Sequence, residues 1–294
     1  MKNKVKSSNK IFGITSFSLL SLYTLVLGFL LLWSLMSSFK HDLDFVWNPL
    51  SFPDSAFGWK FDNYLKAWSV FNIPLTTKND TYVNTLGMFL NSLLYAGGGA
   101  FFTIMITCLM AYCCSKFECT TTRIIYTVVI FVIVTPIVGS LPSEFQIAKT
   151  FHFYDNMFGM YVMKSYFANV YFLIFYAMFK GIPDTYTEAA LLDGAGYWRI
   201  FIRIMIPLAS STLVAVFLLQ FIALWNDYST PLIYLPSYPP LAYGLYELQN
   251  SRDNLASEPI KIAACFIVSL PIIIIFTVFS KRIMTNVSVG GLKG

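Results

Sequence analysis

Residues 181–211 read GIPDTYTEAALLDGAGYWRIFIRIMIPLASS. The stretch joins two apolar runs, and its local signals describe two short helices and a turn. Thr185 followed by Glu188 has the spacing of a capping box, in which each side chain satisfies a backbone amide at the helix start. Pro183 disfavours an earlier start, because the residue before a proline avoids the helical region. Residues 188–192 are good helix formers. Asp193-Gly194 is a stop signal, since glycine enters the left-handed region without a Cβ penalty. A second helix is expected over 197–206, ended by Pro207. Arg199 and Arg203 share one edge of it, while Tyr197, Trp198, Phe201, Ile202, Ile204 and Met205 form a broad apolar arc. Such an arc must be covered by lipid or protein. Periodicity alone leaves two readings open: an interfacial amphipathic helix, or a helix that docks onto another body.

Outward from this loop the chain is strongly apolar. Of 294 residues, 56% are hydrophobic and 12% charged. A soluble domain carries about 25% charged residues, so the composition excludes a cytosolic enzyme and a disordered chain. No dense basic face supports a nucleic-acid binder, despite a net charge of +5. A spanning helix needs roughly 20 apolar residues. Six such runs occur, at 11–39, 84–114, 124–141, 157–179, 208–235 and 260–279. The first follows Lys2, Lys4, Lys6 and Lys10 and lacks a small-residue cleavage site, so it reads as an uncleaved signal anchor. With the N-terminus inside, Lys116, Arg123, Lys180, Arg199, Arg203, Lys281 and Arg282 also fall in short inner segments. Basic residues concentrate on the inner side of membranes, which predicts an all-α, six-span protein with both termini inside. Tails at 1–10 and 281–294 and the loop at 181–207 are then cytoplasmic.

Much chemistry is missing. No phosphate loop, no H-E-x-x-H and no G-x-S-x-G occurs in the sequence. Gly97-Gly98-Gly99 lies within the second run and reads as a site of close helix approach. Cys108, Cys113, Cys114 and Cys119 cluster near the inner end of that run, with Cys265 in the sixth. Neither disulfides nor a metal site is expected from them. His41 and His152 read as solvated loop residues. Ionisable side chains are nearly absent from the runs. Lys164 stands out in the fourth, and Asp227, about 30 Å along the fifth, falls near the outer interface. The chain therefore lacks the buried carboxylates or histidines of an ion-coupled transporter, and it carries no engine of its own.

The loop residues also match a family pattern. Glu188-Ala189-Ala190, Asp193-Gly194-Ala195, Phe201, Ile204 and Pro207-Leu208 resemble the "EAA" loop of ABC importer inner-membrane permeases, with Ser211 where many members have a second proline. Phe61-Asp62-Asn63-Tyr64, Pro136, Leu141-Pro142, Trp225-Asn226-Asp227 and the 290–294 tail look like its carbohydrate-uptake branch, most similar to the second maltose permease. The resemblance implies a type I importer fold moving by alternating access. Glu188, Ala189, Ala190, Asp193, Gly194, Phe201 and Pro207 would couple to a separate ATPase. It also implies a homologous permease partner, two ATPase subunits holding ATP and Mg, an extracellular solute-binding protein and a bacterial inner-membrane location. No cofactor is expected on this chain.

A sugar path needs hydrogen-bonding groups and flat rings in an apolar cavity. Asn91, Tyr95, Gln220, Trp225 and Asn226 are the candidates, each of which can equally serve helix–helix contact. The aromatic outer stretch 40–83 fits either a headgroup-level belt or a docking surface. The rival reading of the chain is a self-sufficient secondary transporter or channel. A membrane enzyme has no catalytic constellation to support it.

Overall fold

In a computed structural model the described residues are 2–70, 72–74, 82–135, 139–250 and 256–287. Pro136 and the 290–294 tail lie outside them. The elements in order are α1 (Lys2–Ser38), α2 (Asp42–Trp47), α3 (Asp62–Val70), β1 (Asn72–Pro74), β2 (Tyr82–Asn84), α4 (Thr85–Lys116), α5 (Thr120–Val134), α6 (Leu141–Thr150), α7 (Met157–Lys164), α8 (Val170–Lys180), α9 (Thr185–Leu192), α10 (Tyr197–Ile200), a π-helical turn (Phe201–Met205), α11 (Ile206–Trp225), α12 (Ser229–Tyr234), α13 (Leu241–Asn250) and α14 (Glu258–Val287). The two short strands pair antiparallel, with Ile73 opposite Val83. The rest is helix and connection, so the protein is all-helical in character. Two units emerge: Met1–Phe71 with Leu248–Ser269, and Asn72–Glu247 with Leu270–Gly294.

In the first unit, the apolar stretch Phe12–Ser38 of α1 is exposed almost throughout. The end of α1 is held more tightly. Helix C-termini leave carbonyls without partners, and here Asn63 fills them. Its Nδ2 donates to the Ser38 carbonyl at 2.8 Å and the Lys40 carbonyl at 2.9 Å. Tyr64 adds a hydroxyl contact to Ser38 Oγ at 2.9 Å, and Phe39 stacks among Trp59, Phe61 and Tyr64. The Phe61-Asp62-Asn63-Tyr64 motif is thus the lid on the first spanning helix.

In the second unit, α4 packs against α7, α8 and α11. Of its three consecutive glycines, Gly98 and Gly99 permit close approach, while Gly97 faces open space. A Cβ on Gly98 would stand 2.3 Å from the Tyr161 ring, and one on Gly99 would stand 2.8 Å from Leu224. Ile104, Cys108, Tyr112, Phe172, Phe175 and Met205 form the adjoining core.

Four helical stretches are long and apolar enough to cross a membrane: Phe12–Ser38, Thr85–Lys116, Tyr197–Trp225 and Glu258–Phe279. Two shorter apolar helices, Thr120–Val134 and Val170–Lys180, accompany them. Three of the expected runs need correction. The third stops at Val134, and Leu141-Pro142 instead opens α6. The fourth is not one helix but two, because Asn169 accepts from the amides of Tyr171 and Phe172 and starts α8 afresh. The fifth ends at Trp225, where Asp227 draws the chain into a turn before α12.

Candidate functional site

The end of α4 and the loop after α8 meet. Lys116 Nζ donates to the Ile182 carbonyl at 2.5 Å and to Asp184 Oδ1 at 2.6 Å. The Lys116 side chain is only 5% exposed, whereas that of Asp184 is 74% exposed. This explains why the expected capping box is not formed. α9 already begins at Thr185, its N-cap Asp184 makes no side-chain cap bond, and Glu188 is exposed. The carboxylate beside the helix start is engaged by Lys116.

α9 stops as its sequence demands. Gly194 has a φ of +77°. The Gly194 amide donates to the Leu191 carbonyl and the Ala195 amide to the Ala190 carbonyl, at 3.0 and 2.9 Å. These are the two bonds of a Schellman closure. Ala190 is buried, while Glu188, Ala189, Leu192, Asp193 and Gly194 face outward. A short helix is therefore left with an outer surface of Glu188, Ala189 and Asp193 beside the exposed Tyr186, Leu191 and Leu192 side chains.

The second helix of the loop does not end at Pro207. Helix continues from Tyr197 to Trp225. Within it the Ile206 amide bonds five residues back to the Phe201 carbonyl. Pro207 follows directly on this turn, and the wider spacing there lets the helix run past a residue that has no amide donor. Phe201 is buried against the ring of Tyr112, with centroids 5.0 Å apart, and Pro207 is exposed.

The far end of α4 carries a cluster that the sequence reading missed. Asp227 Oδ2 accepts from the Tyr95 hydroxyl at 2.8 Å and lies 3.4 Å from Lys164 Nζ. Its Oδ1 accepts from Ser229 Oγ and the Thr230 amide, both at 3.0 Å. Lys164 also donates to Thr230 Oγ1 at 3.0 Å. Two opposite charges in neighbouring apolar runs were the available signal, because an unpaired one would be costly there.

The five sugar-path candidates divide accordingly. Tyr95 is buried and its hydroxyl is engaged by Asp227. Trp225 is buried, edge-on to Phe89. Asn226 Nδ2 turns back to the Ile222 carbonyl. Asn91 is half-buried and donates to the Pro239 carbonyl at 3.2 Å. Gln220 is half-buried on α11. No group of histidine, cysteine and carboxylate residues suited to a metal occurs among the described residues.

These features define an all-helical, multi-pass membrane transport subunit. The chain belongs to the family described as the binding-protein-dependent transport system inner membrane component, whose model matches residues 3–288. It is an inner-membrane permease subunit of an ABC importer, a transport component and not an enzyme. It is 30% identical over 291 residues to the diacetylchitobiose uptake system permease of Streptomyces coelicolor, covering 98% of this chain and 91% of the relative. It is 26% identical to a probable starch degradation products transport system permease of Thermoanaerobacterium thermosulfurigenes, covering 88% and 89%. It is 28% identical to the arabinooligosaccharides transport system permease of Bacillus subtilis, covering 70% and 73%. Among solved structures, a chain of a bacterial ABC transporter that imports alginate shares the fold. That likeness has a TM-score of 0.74 at 22% identity, over 93% of this chain and 97% of the other.

Proposed function

We propose that this permease carries a sugar or oligosaccharide by alternating access, with six spans and both termini inside. The relatives named for chitobiose, starch products and arabinooligosaccharides support the cargo class. The two shorter apolar helices supply the third and fourth crossings in chain order, α5 at about 22 Å and α8 joined to α7. α9 is the coupling helix, inserted into a groove on an ATPase subunit that holds ATP and Mg. Glu188, Ala189, Ala190, Asp193 and Gly194 form its docking surface and closure, and Phe201 and Pro207 anchor the helix behind it. The spans pair with a homologous permease, and a solute-binding protein delivers cargo outside. Gln220, half-buried on α11, and Asn226, exposed and bonded only within its own helix, are the path residues with side chains least committed to the fold.

The Schellman-closed α9 carries this reading, because Ala190 packs inward while Glu188, Ala189, Leu192 and Asp193 are left exposed. Glu188→Lys should strip the ATPase subunits from the purified assembly. Unchanged co-purification would count against the reading. The rival, a self-sufficient transporter, predicts cargo uptake by the chain alone in liposomes without ATP.

A further inference from the structure

We propose that Lys116 is a positioning residue that fastens α9 to α4, so that α4 carries movement of α9 into the spanning bundle. The inference rests on the reading of α9 as the coupling helix. An eight-residue helix is marginal by itself, and short turns join it to its neighbours in the chain. Gly181-Ile182-Pro183 precedes it, and the left-handed Gly194 follows it. The inner end of α4 adds a direct side-chain hold on both sides of it. Lys116 grips the leading side through Ile182 and Asp184. Phe117 meets Tyr197 edge-on past the trailing side, with centroids 5.0 Å apart, and Tyr112 lies against Phe201. These contacts of Tyr112, Lys116 and Phe117, at the end of α4 and its C-cap, bracket α9.

The energetics favour a firm grip. Lys116 is nearly buried, so losing Asp184 leaves an ammonium with one carbonyl acceptor and little water. Charge-assisted bonds of this length are stronger than neutral ones, and the sheltered ammonium, unlike the exposed Asp184 carboxylate, has little water to replace a lost partner. About 30 Å along the same helix, Tyr95 is fixed to Asp227. α4 is thus anchored by charge at both ends and can shift as one rod.

The test is hydrogen exchange on the full permease assembly in nanodiscs, with ATP hydrolysis measured on the same samples. Lys116→Met should speed exchange of amides 184–193 about tenfold while leaving those of α11 unchanged. Basal ATP hydrolysis should persist, and its stimulation by the loaded binding protein should be lost. Lys116→Arg, which keeps donors for both the Ile182 carbonyl and Asp184, should restore both. If Lys116→Met also exposes α11, Asp184→Asn at the solvent-facing partner gives the same comparison. Unchanged exchange at 184–193 in Lys116→Met, or no recovery in Lys116→Arg, overturns the proposal. Failure of the coupling-helix reading looks different: Glu188→Lys then leaves ATPase co-purification intact while the exchange difference at 184–193 remains.

Discussion

The Lys164 ammonium lies 3.4 Å from Asp227 Oδ2 and joins α7 to the turn after α11 across 63 residues of sequence. Both side chains are largely sheltered, at 25% and 16% exposure. Asp227 has four donors on its two oxygens, so it is saturated. The cluster holds the breaks in two helices together and leaves no free acceptor for a sugar hydroxyl.

Lys164→Met should therefore destabilise the chain by stranding the carboxylate, lowering the apparent Tm of the detergent-solubilised protein by about 5 °C. Lys164→Met combined with Asp227→Asn should recover most of that loss, because the neutral amide no longer needs a counter-charge. Additive losses in the double variant would show that the two residues do not act as a pair.

The sequence made the loop legible because its signals are local. Gly194 follows an apolar helix run and must turn it, so the stop at 193–194 can be read from two residues. The capping box failed for the opposite reason. Whether Asp184 or Thr185 governs the start of α9 depends on Lys116, nearly seventy residues earlier. Lys164 and Asp227 were likewise visible as two anomalies and not as one feature, since their pairing needs the broken fourth run folded back beside α11. Pro207 was misread because a single π-helical turn, which no composition announces, lets the helix run through it.

Asn63 offers a test of the lid on α1. It is buried and donates to two carbonyls that have no helical partners. Asn63→Ala should cost about 1–3 kcal/mol by leaving them unsatisfied. Asn63→Asp should cost more, since a carboxylate facing two carbonyl oxygens has no proton to give. Thermal unfolding of the two variants checks the order. Equal stability of wild type and Asn63→Asp would remove the donor role.

Gly194 separates backbone conformation from space. A Cβ there would meet nothing within 4 Å, yet its φ is +77°. Asparagine tolerates that region and valine does not. Gly194→Val should lose about 1–2 kcal/mol of turn stability and abolish ATPase stimulation by the loaded binding protein. Gly194→Asn should keep most of the stimulation. Similar loss in both variants would mean that the missing side chain, and not the turn, is what matters.

Cys119 reports orientation. It is the exposed cysteine among the five, at the N-cap of α5, whereas Cys108 is buried. A hydrogen bond with Thr122 holds its thiol below the ordinary cysteine range. More of it is thiolate at a given pH, so maleimide labelling should persist to lower pH than for an unassisted thiol, and Thr122→Val should shift the profile upward. With the N-terminus inside, Cys119 faces the cytoplasm. A membrane-impermeant maleimide should then label it in inverted vesicles and not in intact cells. Labelling of Cys119 in intact cells would reverse the orientation and place α9 outside, where no ATPase could reach it.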